Sequence, residues 1–338
     1  MKKTILLVLI PLLVSCGQAT NDTEKKTAAS ESEITLPQVL EVFPDNKFEY
    51  GFNAFPGNKS FDDGSYPEND YMDNVYLKYT KDAPNPIWQL QQTGCIYDLN
   101  DFYNPITEKY PEYVDGYYKF DGVSNHVYVN PSIGEVKLGV EASKEYQRPR
   151  KDRENWPHLL LQNALTEQVT LSELSSLDFT IDLNIHCENK MSESEYNPGL
   201  HTAQFLMYFI VNTLSDIDSG DYFWFGVPFF DFRYKKATKP AAFIDNGTSG
   251  NTGKVIYQMA TDKIDPNGFQ LDHDYSITLN LIEEFQDALI ETQKFGRMIN
   301  TTVNDLSISN MNIGFEIPGT FDVEATFKNF SLKAIREA

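Results

Sequence analysis

Between residues 177 and 185 apolar and polar side chains alternate without a break: Leu177, Phe179, Ile181, Leu183 and Ile185 are separated by Asp178, Thr180, Asp182 and Asn184. A period of two puts one set on each side of an extended chain, so the segment predicts a strand with one buried and one wet face. The alternation recurs at Ile277, Leu279 and Leu281, at Met311, Ile313, Phe315 and Ile317, and at Phe321, Val323, Ala325 and Phe327. In the last run the apolar phase moves to Phe330 and Leu332, which predicts a bulge or bend near Lys328 and Asn329. From Gln204 to Asn212 nearly every position is apolar, the pattern of a central strand covered on both faces.

Helical spacing is confined to residues 282–295, where Ile282, Phe285, Leu289 and Thr292 form a stripe and Glu283 and Glu284 sit in the first turn, where the macrodipole favours acids. Between about residues 53 and 116 the chain is dense in Asn, Asp, Gly, Pro and Tyr, which suggests long ordered loops with short strands. No period of 20 to 50 residues repeats, so solenoids and propellers are excluded. Many short alternating strands with one helix predict an all-β fold, an antiparallel β-sandwich of jelly-roll type carrying one short packed helix.

The chain carries 49 Asp and Glu against 28 Lys and Arg, a formal net charge of -21. Nothing in that balance neutralises a phosphate backbone, so nucleic acid is excluded as a general partner. Residues 1 to 16 read MKKTILLVLIPLLVSC, two lysines before an apolar run that is too short to span a bilayer as a mature helix, which is the pattern of an export signal. Leu13-Val14-Ser15-Cys16 resembles the lipobox of bacterial lipoproteins, and the resemblance implies cleavage before Cys16 and lipidation of its thiol. Lys2 and Lys3 would leave with the signal, taking the net charge from -21 to -23. So acidic a body is repelled by anionic headgroups, and the lipid itself must hold it at the membrane.

The following stretch, GQATNDTEKKTAASESE, has almost nothing to bury and reads as a flexible tether. Asp22 and Glu24 resemble the acidic surface-export signals of lipoproteins in Gram-negative glycan degraders, and they equally suit an ordinary polar tether. The expected organisation is thus a signal over residues 1–15, a tether over 16–34 and one sandwich domain over 35–338. The expected location is the cell envelope, at the outer membrane. Cys95 and Cys187 allow either one disulfide or two buried thiols.

The ending NIGFEIPGTFDVEATFKNFSLKA resembles the last strands of concanavalin-like and carbohydrate-binding jelly rolls, which implies work on glycans. Three segments set polar and aromatic side chains on otherwise apolar strands. Trp156, His158, Leu160 and Gln162 share one face, with Leu159 and Leu161 on the other; Gln204, Tyr208 and Asn212 oppose Phe205, Met207 and Phe209; and Tyr222 and Trp224 precede Asp231 and Arg233. Sugars bind where an aromatic plane meets the C–H face of a ring and amides, carboxylates or Arg take its hydroxyls. Trp156, Gln162, Gln204, Trp224 and Asp231 form such a set, provided that the two tryptophans are not simply core residues.

The expected function is therefore a lipid-anchored envelope protein that binds an extracellular polysaccharide, with outer-membrane glycan transporter components as further partners. An alternative is an endo-acting polysaccharide lyase. Lyases on this architecture use an Arg or Gln to neutralise the uronate carboxylate, and His and Tyr for proton transfer; His158, Tyr208, Tyr222 and Arg233 would take those roles. The RTELR, QIH and YFKAG blocks of the alginate lyase sandwich family are absent, as are the ExDxxE strand of laminarinase-type sandwiches and a GxSxG elbow. Asp178 and Asp182 share a wet strand face, where they serve solvation or a glycosidase pair. A second alternative is a non-enzymatic assembly lipoprotein. Arg148, Arg150, Lys151 and Arg153 could form a local basic patch. No cofactor is required by these readings. Asp62, Asp63, Asn69, Asp70 and Asp73, and again Asp262, Asp265 and Asn267, offer oxygen ligands for calcium or ordinary Asx turns.

Overall fold

The computed structural model describes residues 37–57, 74–246 and 252–336. The signal and tether with Cys16, and the acidic loop from Asp62 to Asp73, lie outside the described residues. Strand alternation is expressed as two sheets packed face to face, a jelly-roll β-sandwich. The first sheet runs Tyr275–Asn280, Ser176–Asn189, Phe321–Arg336, Glu135–Glu141, Asn125–Asn130, Tyr117–Asp121 and Glu112–Val114, with Gln38–Glu41 added along the third of these. All its pairings are antiparallel. The second sheet runs Ala241–Ile244, Val255–Gln258, Tyr222–Asp231, Gln204–Thr213, Leu306–Glu316, His158–Thr170, Trp88–Gln91, Phe52–Ala54 and Val75–Leu77. Two of its pairs, Tyr222–Asp231 with Val255–Gln258 and Phe52–Ala54 with Trp88–Gln91, are parallel. The sandwich is therefore mixed rather than strictly antiparallel, because long connections carry the chain back before it pairs again.

The apolar phases of both sheets meet in one core. Phe205 of the second sheet lies 6.4 Å from Phe327 of the first, and Phe179 of the first lies 6.3 Å from Phe229 of the second, ring centre to ring centre. Truncating any one of these fully buried rings to alanine costs about 3–5 kcal/mol. The phase shift near Lys328 is a bulge: Thr180 pairs with Ser331 and Asp182 with Lys328, leaving Ile181 opposite Asn329 and Phe330. Asn329 takes a left-handed backbone, φ 52°, and its side-chain amide donates to Asp182. Asn is among the few residues that adopt this conformation readily.

Two expectations are corrected. Gln204–Thr213 is central in its sheet, yet only Phe205, Met207, Phe209 and Val211 face the core, while Gln204, Tyr208, Ile210 and Asn212 are half-buried on the outer face, where no further layer of the described residues stacks. Leu281 does not continue the strand before it but opens the helix Leu281–Lys294, because the Asn280 side chain accepts from the Ile282 N–H and caps it. The helix buries Phe285 against Phe209 and Phe225.

Cys95 and Cys187 are both free. Burial pushes the Cys95 thiol far up and that of Cys187 to about 12, so neither is a reactive thiolate at neutral pH. Asp178 and Asp182 lie on the outer face of the first sheet, bonded to Ser176 and Ser276. That side of the molecule bears no Trp. Asp265 closes an Asx turn onto the Asn267 N–H at 2.8 Å and accepts from Tyr275, and among the described residues no three acidic, His or Cys side chains are grouped to hold a metal.

Candidate functional site

Strands in register carry their outward side chains in rows across the sheet, with neighbouring strands about 4.8 Å apart. On the outer face of the second sheet one row reads Asp231, Gln204, Glu316, His158. The next but one reads Gln258, Gly226, Tyr208, Asn312, Gln162, Gln89. Beyond it lie Phe243, Ile256, Trp224, Ile210 and Asn310. Leu306–Glu316 sits between the two strands whose sequence first pointed to a site, so its own polar phase, Asn312 and Glu316, completes the rows.

A groove of about 680 Å³ follows this face. Its aromatic walls are Trp156, Trp224, Tyr234 and Phe243, and its polar positions include Gln204, Gln258, Asn312, Asp245 and Glu316. Glycine shapes the floor at two points. A Cβ at Gly226 would stand 2.6 Å from Tyr208 Cε1, so only glycine lets the Tyr208 ring lie across the neighbouring strand and accept from Gln258 Nε2 at 2.8 Å. At Gly314, φ 151° and a backbone oxygen 2.1 Å from any Cβ leave no room for a side chain.

The two groove tryptophans are held differently. Trp156 has the Arg150 guanidinium over its ring at 4.7 Å and the His158 ring stacked at 5.6 Å. Trp224 meets Tyr208 and Tyr222 edge to face, at 6.2 and 6.1 Å. The indole N–H of each, and the side-chain carbonyl of Asn312, are buried with no partner among the described residues. Buried polar atoms are rarely left unpaired, so three together on one groove mark unspent hydrogen-bonding capacity. The core tryptophan is the third, Trp88, fully buried and donating to the Asp45 carbonyl at 2.7 Å.

Among the residues singled out from sequence, Trp156, Gln204, Tyr208, Trp224, Asp231 and Arg233 share the groove wall. His158, Gln162 and Tyr222 lie on the same sheet face but not in that wall. Tyr222 is instead covered by Lys254, 4.7 Å from its ring centre. His158 Nδ1 stands 3.0 Å from the carbonyls of both Thr93 and Trp156. Two acceptors on one nitrogen require that nitrogen to carry the hydrogen, which leaves Nε2 facing Glu316 at 3.8 Å.

Arg233 does not offer a free cation. Its Nε donates to Asp231 at 2.9 Å, and the same carboxylate accepts from Thr202 Oγ1 at 2.7 Å and Gln204 Nε2 at 2.8 Å. The bond to Asp231 raises the guanidinium further above its ordinary value. Burial pushes the Tyr208 phenol up, the Glu316 charge adds to that, and the Gln258 bond opposes it. A uronate lyase needs a cation to meet the uronate carboxylate, and Arg233 already spends its charge on Asp231. The expected basic patch is divided: Arg148 is paired with Glu154 and Arg150 is buried beneath Trp156, donating to the Glu154 carbonyl at 2.7 Å, while Lys151 and Arg153 stay exposed.

Glu316, Asn312, Gln258, Asp245, Tyr234 and Phe243 belong to the groove and were not singled out from sequence. Asn312 and Glu316 had a legible signal, since they are the polar phase of the Met311, Ile313 and Phe315 alternation. The others depend on which strands come to lie side by side.

No protein family and no curated protein matches the chain. Among solved structures it is similar to endoglucanase Cel12A from Rhodothermus marinus, at 8% identity over 63% of this chain and 87% of that one, TM-score 0.36. It is also similar to a family 12 xyloglucanase from Bacillus licheniformis, at 11% identity over 67% and 89%, TM-score 0.35, and to the xyloglucanase domain of NopAA from Sinorhizobium fredii, at 11% identity over 65% and 92%, TM-score 0.33. Likenesses of this size carry no argument about activity, and the function must be read from the groove.

Proposed function

We propose that the groove binds a neutral extracellular polysaccharide, and that the protein does so as a lipid-anchored component of the cell envelope, held through Cys16. The observation that carries the binding role is the pair Trp156 and Trp224 on one groove, each with an unpaired indole N–H, beside the amides of Gln204, Gln258 and Asn312. Aromatic planes accept the C–H faces of sugar rings, and amides give and accept one hydrogen bond per hydroxyl without demanding a charge. Neutrality follows from the charges present: Arg233 is matched by Asp231, whereas Glu316 and Asp245 remain in the wall. An anionic chain would meet net negative charge there.

The test is affinity electrophoresis of the purified protein through gels containing neutral or uronate-bearing polysaccharides, with ultraviolet absorbance and reducing ends followed in parallel. Retardation by a neutral polysaccharide, with no new double bonds, supports the proposal. Rising absorbance on a uronate would replace it with the lyase reading, and silence on all three readouts would favour an assembly role.

A further inference from the structure

A second cavity opens from one end of the groove. It measures about 40 Å³ and shares Gln204, Asp231, Tyr234 and Gln258 with the groove wall. Pro228, Phe229, Ile264 and Phe269 supply its apolar lining, beside the polar Thr238, Thr261 and Lys236, and Phe229 is itself packed on Phe179 and Phe205 in the core. Two loops close over it and are tied together: Thr238 N–H donates to Thr261 Oγ1 at 2.7 Å, Thr261 N–H donates to the Thr238 carbonyl at 3.1 Å, and the Gly268 backbone is so close to Lys236 that a Cβ would stand 2.7 Å from its Cα. The cavity is thus part of the folded structure and not a gap between mobile segments.

Its size decides what can enter. A water molecule needs about 10–15 Å³ of such volume, so the cavity holds about three non-hydrogen atoms, far fewer than a sugar ring. Its chemistry narrows the choice. The walls favour a methyl group, and burying a charged or strongly hydrated group against them would go unrewarded. The rim supplies donors: Gln258 spends one amide hydrogen on Tyr208 and has a second, and Lys236 makes no ion pair with a described residue. A methyl carbon, a carbonyl carbon and one acceptor oxygen match the volume, the walls and the rim together.

We infer that the groove selects an O-acetylated polysaccharide, with one acetyl group per binding event seated in the cavity between Phe229, Ile264 and Phe269. The inference rests on the glycan reading above and adds the substituent to it. A hydroxymethyl group would leave the apolar lining unfilled.

The experiment measures retardation of the full protein by the neutral polysaccharides of the panel, each presented chemically O-acetylated at low substitution and after alkaline deacetylation. The acetylated form of at least one backbone should bind ten times more tightly than its deacetylated form. Ile264→Phe, which fills the cavity, should bring that ratio close to one, and Lys236→Gln, at an exposed position that leaves the fold intact, should reduce it. Equal binding of the two forms overturns the acetyl inference while leaving the groove reading in place. Absence of binding to either form of any backbone overturns the groove reading itself.

Discussion

Three tryptophans on one sandwich separate packing from binding at the level of single residues. Trp88 is fully buried and its indole N–H is spent on Asp45, so Trp88→Ala removes a core ring and should cost about 3–5 kcal/mol, seen as a large fall in the thermal midpoint. Trp224 stands in the groove with its N–H unspent. Trp224→Ala should move the midpoint much less and weaken retardation by the bound polysaccharide about 30-fold, the equivalent of about 2 kcal/mol for an aromatic anchor. Should both variants lose stability equally and binding not at all, Trp224 is a packing residue. Gly226 gives a sharper test, because alanine there drives a Cβ into the Tyr208 ring. Gly226→Ala should destabilise by about 1–3 kcal/mol and weaken glycan binding as the ring lifts from the floor. A variant that melts and binds as the parent does would show that the ring has room to move.

At the scale of elements, the loop before His158–Thr170 is an electrostatic latch. Arg148 holds Glu154, whose backbone carbonyl holds Arg150, and Arg150 supports the Trp156 ring. The hydrogen bond to Arg148 draws the Glu154 carboxyl down from its ordinary value of 4.5 to about 2. A carboxyl with a lowered folded pKa binds fewer protons when folded, so its contribution is complete above pH 4.5 and is lost as the pH falls from there through about 2. Partial exposure of Arg148 tempers the effect to about 1–2 kcal/mol. Denaturant titrations across that window should show Glu154→Gln with a shallower acid slope than the parent; identical slopes would remove Glu154 from the account. The bulge is the other element with a defined tolerance. Asn329→Gly should cost little, whereas Asn329→Val should cost about 1–3 kcal/mol, since a β-branched residue is strained at φ 52°.

For the whole molecule, a net charge of -21 on a chain whose groove keeps Glu316 and Asp245 makes salt dependence diagnostic. A neutral ligand has no charge to screen, so its affinity should change less than about twofold between about 0.05 and 0.5 M salt. An anionic polysaccharide would bind more tightly as salt shields the repulsion, and that result would contradict the neutral assignment.

Alternation is a local property, written in the chain and independent of its neighbours. For that reason the strands at 177–185, 311–317 and 321–327, the helix after Asn280 and even the displaced phase at Asn329 were legible before any fold was known. The aromatic and polar phases of 156–162, 204–212 and 222–224 were legible for the same reason, and they do share one sheet face. Adjacency is not local. That Leu306–Glu316 lies between His158–Thr170 and Gln204–Thr213, bringing Asn312 and Glu316 into the groove, follows from pairings across about 100 residues or more of chain. Tertiary structure likewise decided that Asp231 spends Arg233, that Arg150 lies under Trp156 and that the two cysteines stay apart. A charge or a thiol acts according to its nearest neighbours, and the folded conformation chooses those, between residues two apart as for Arg233 and Asp231 as much as between strands.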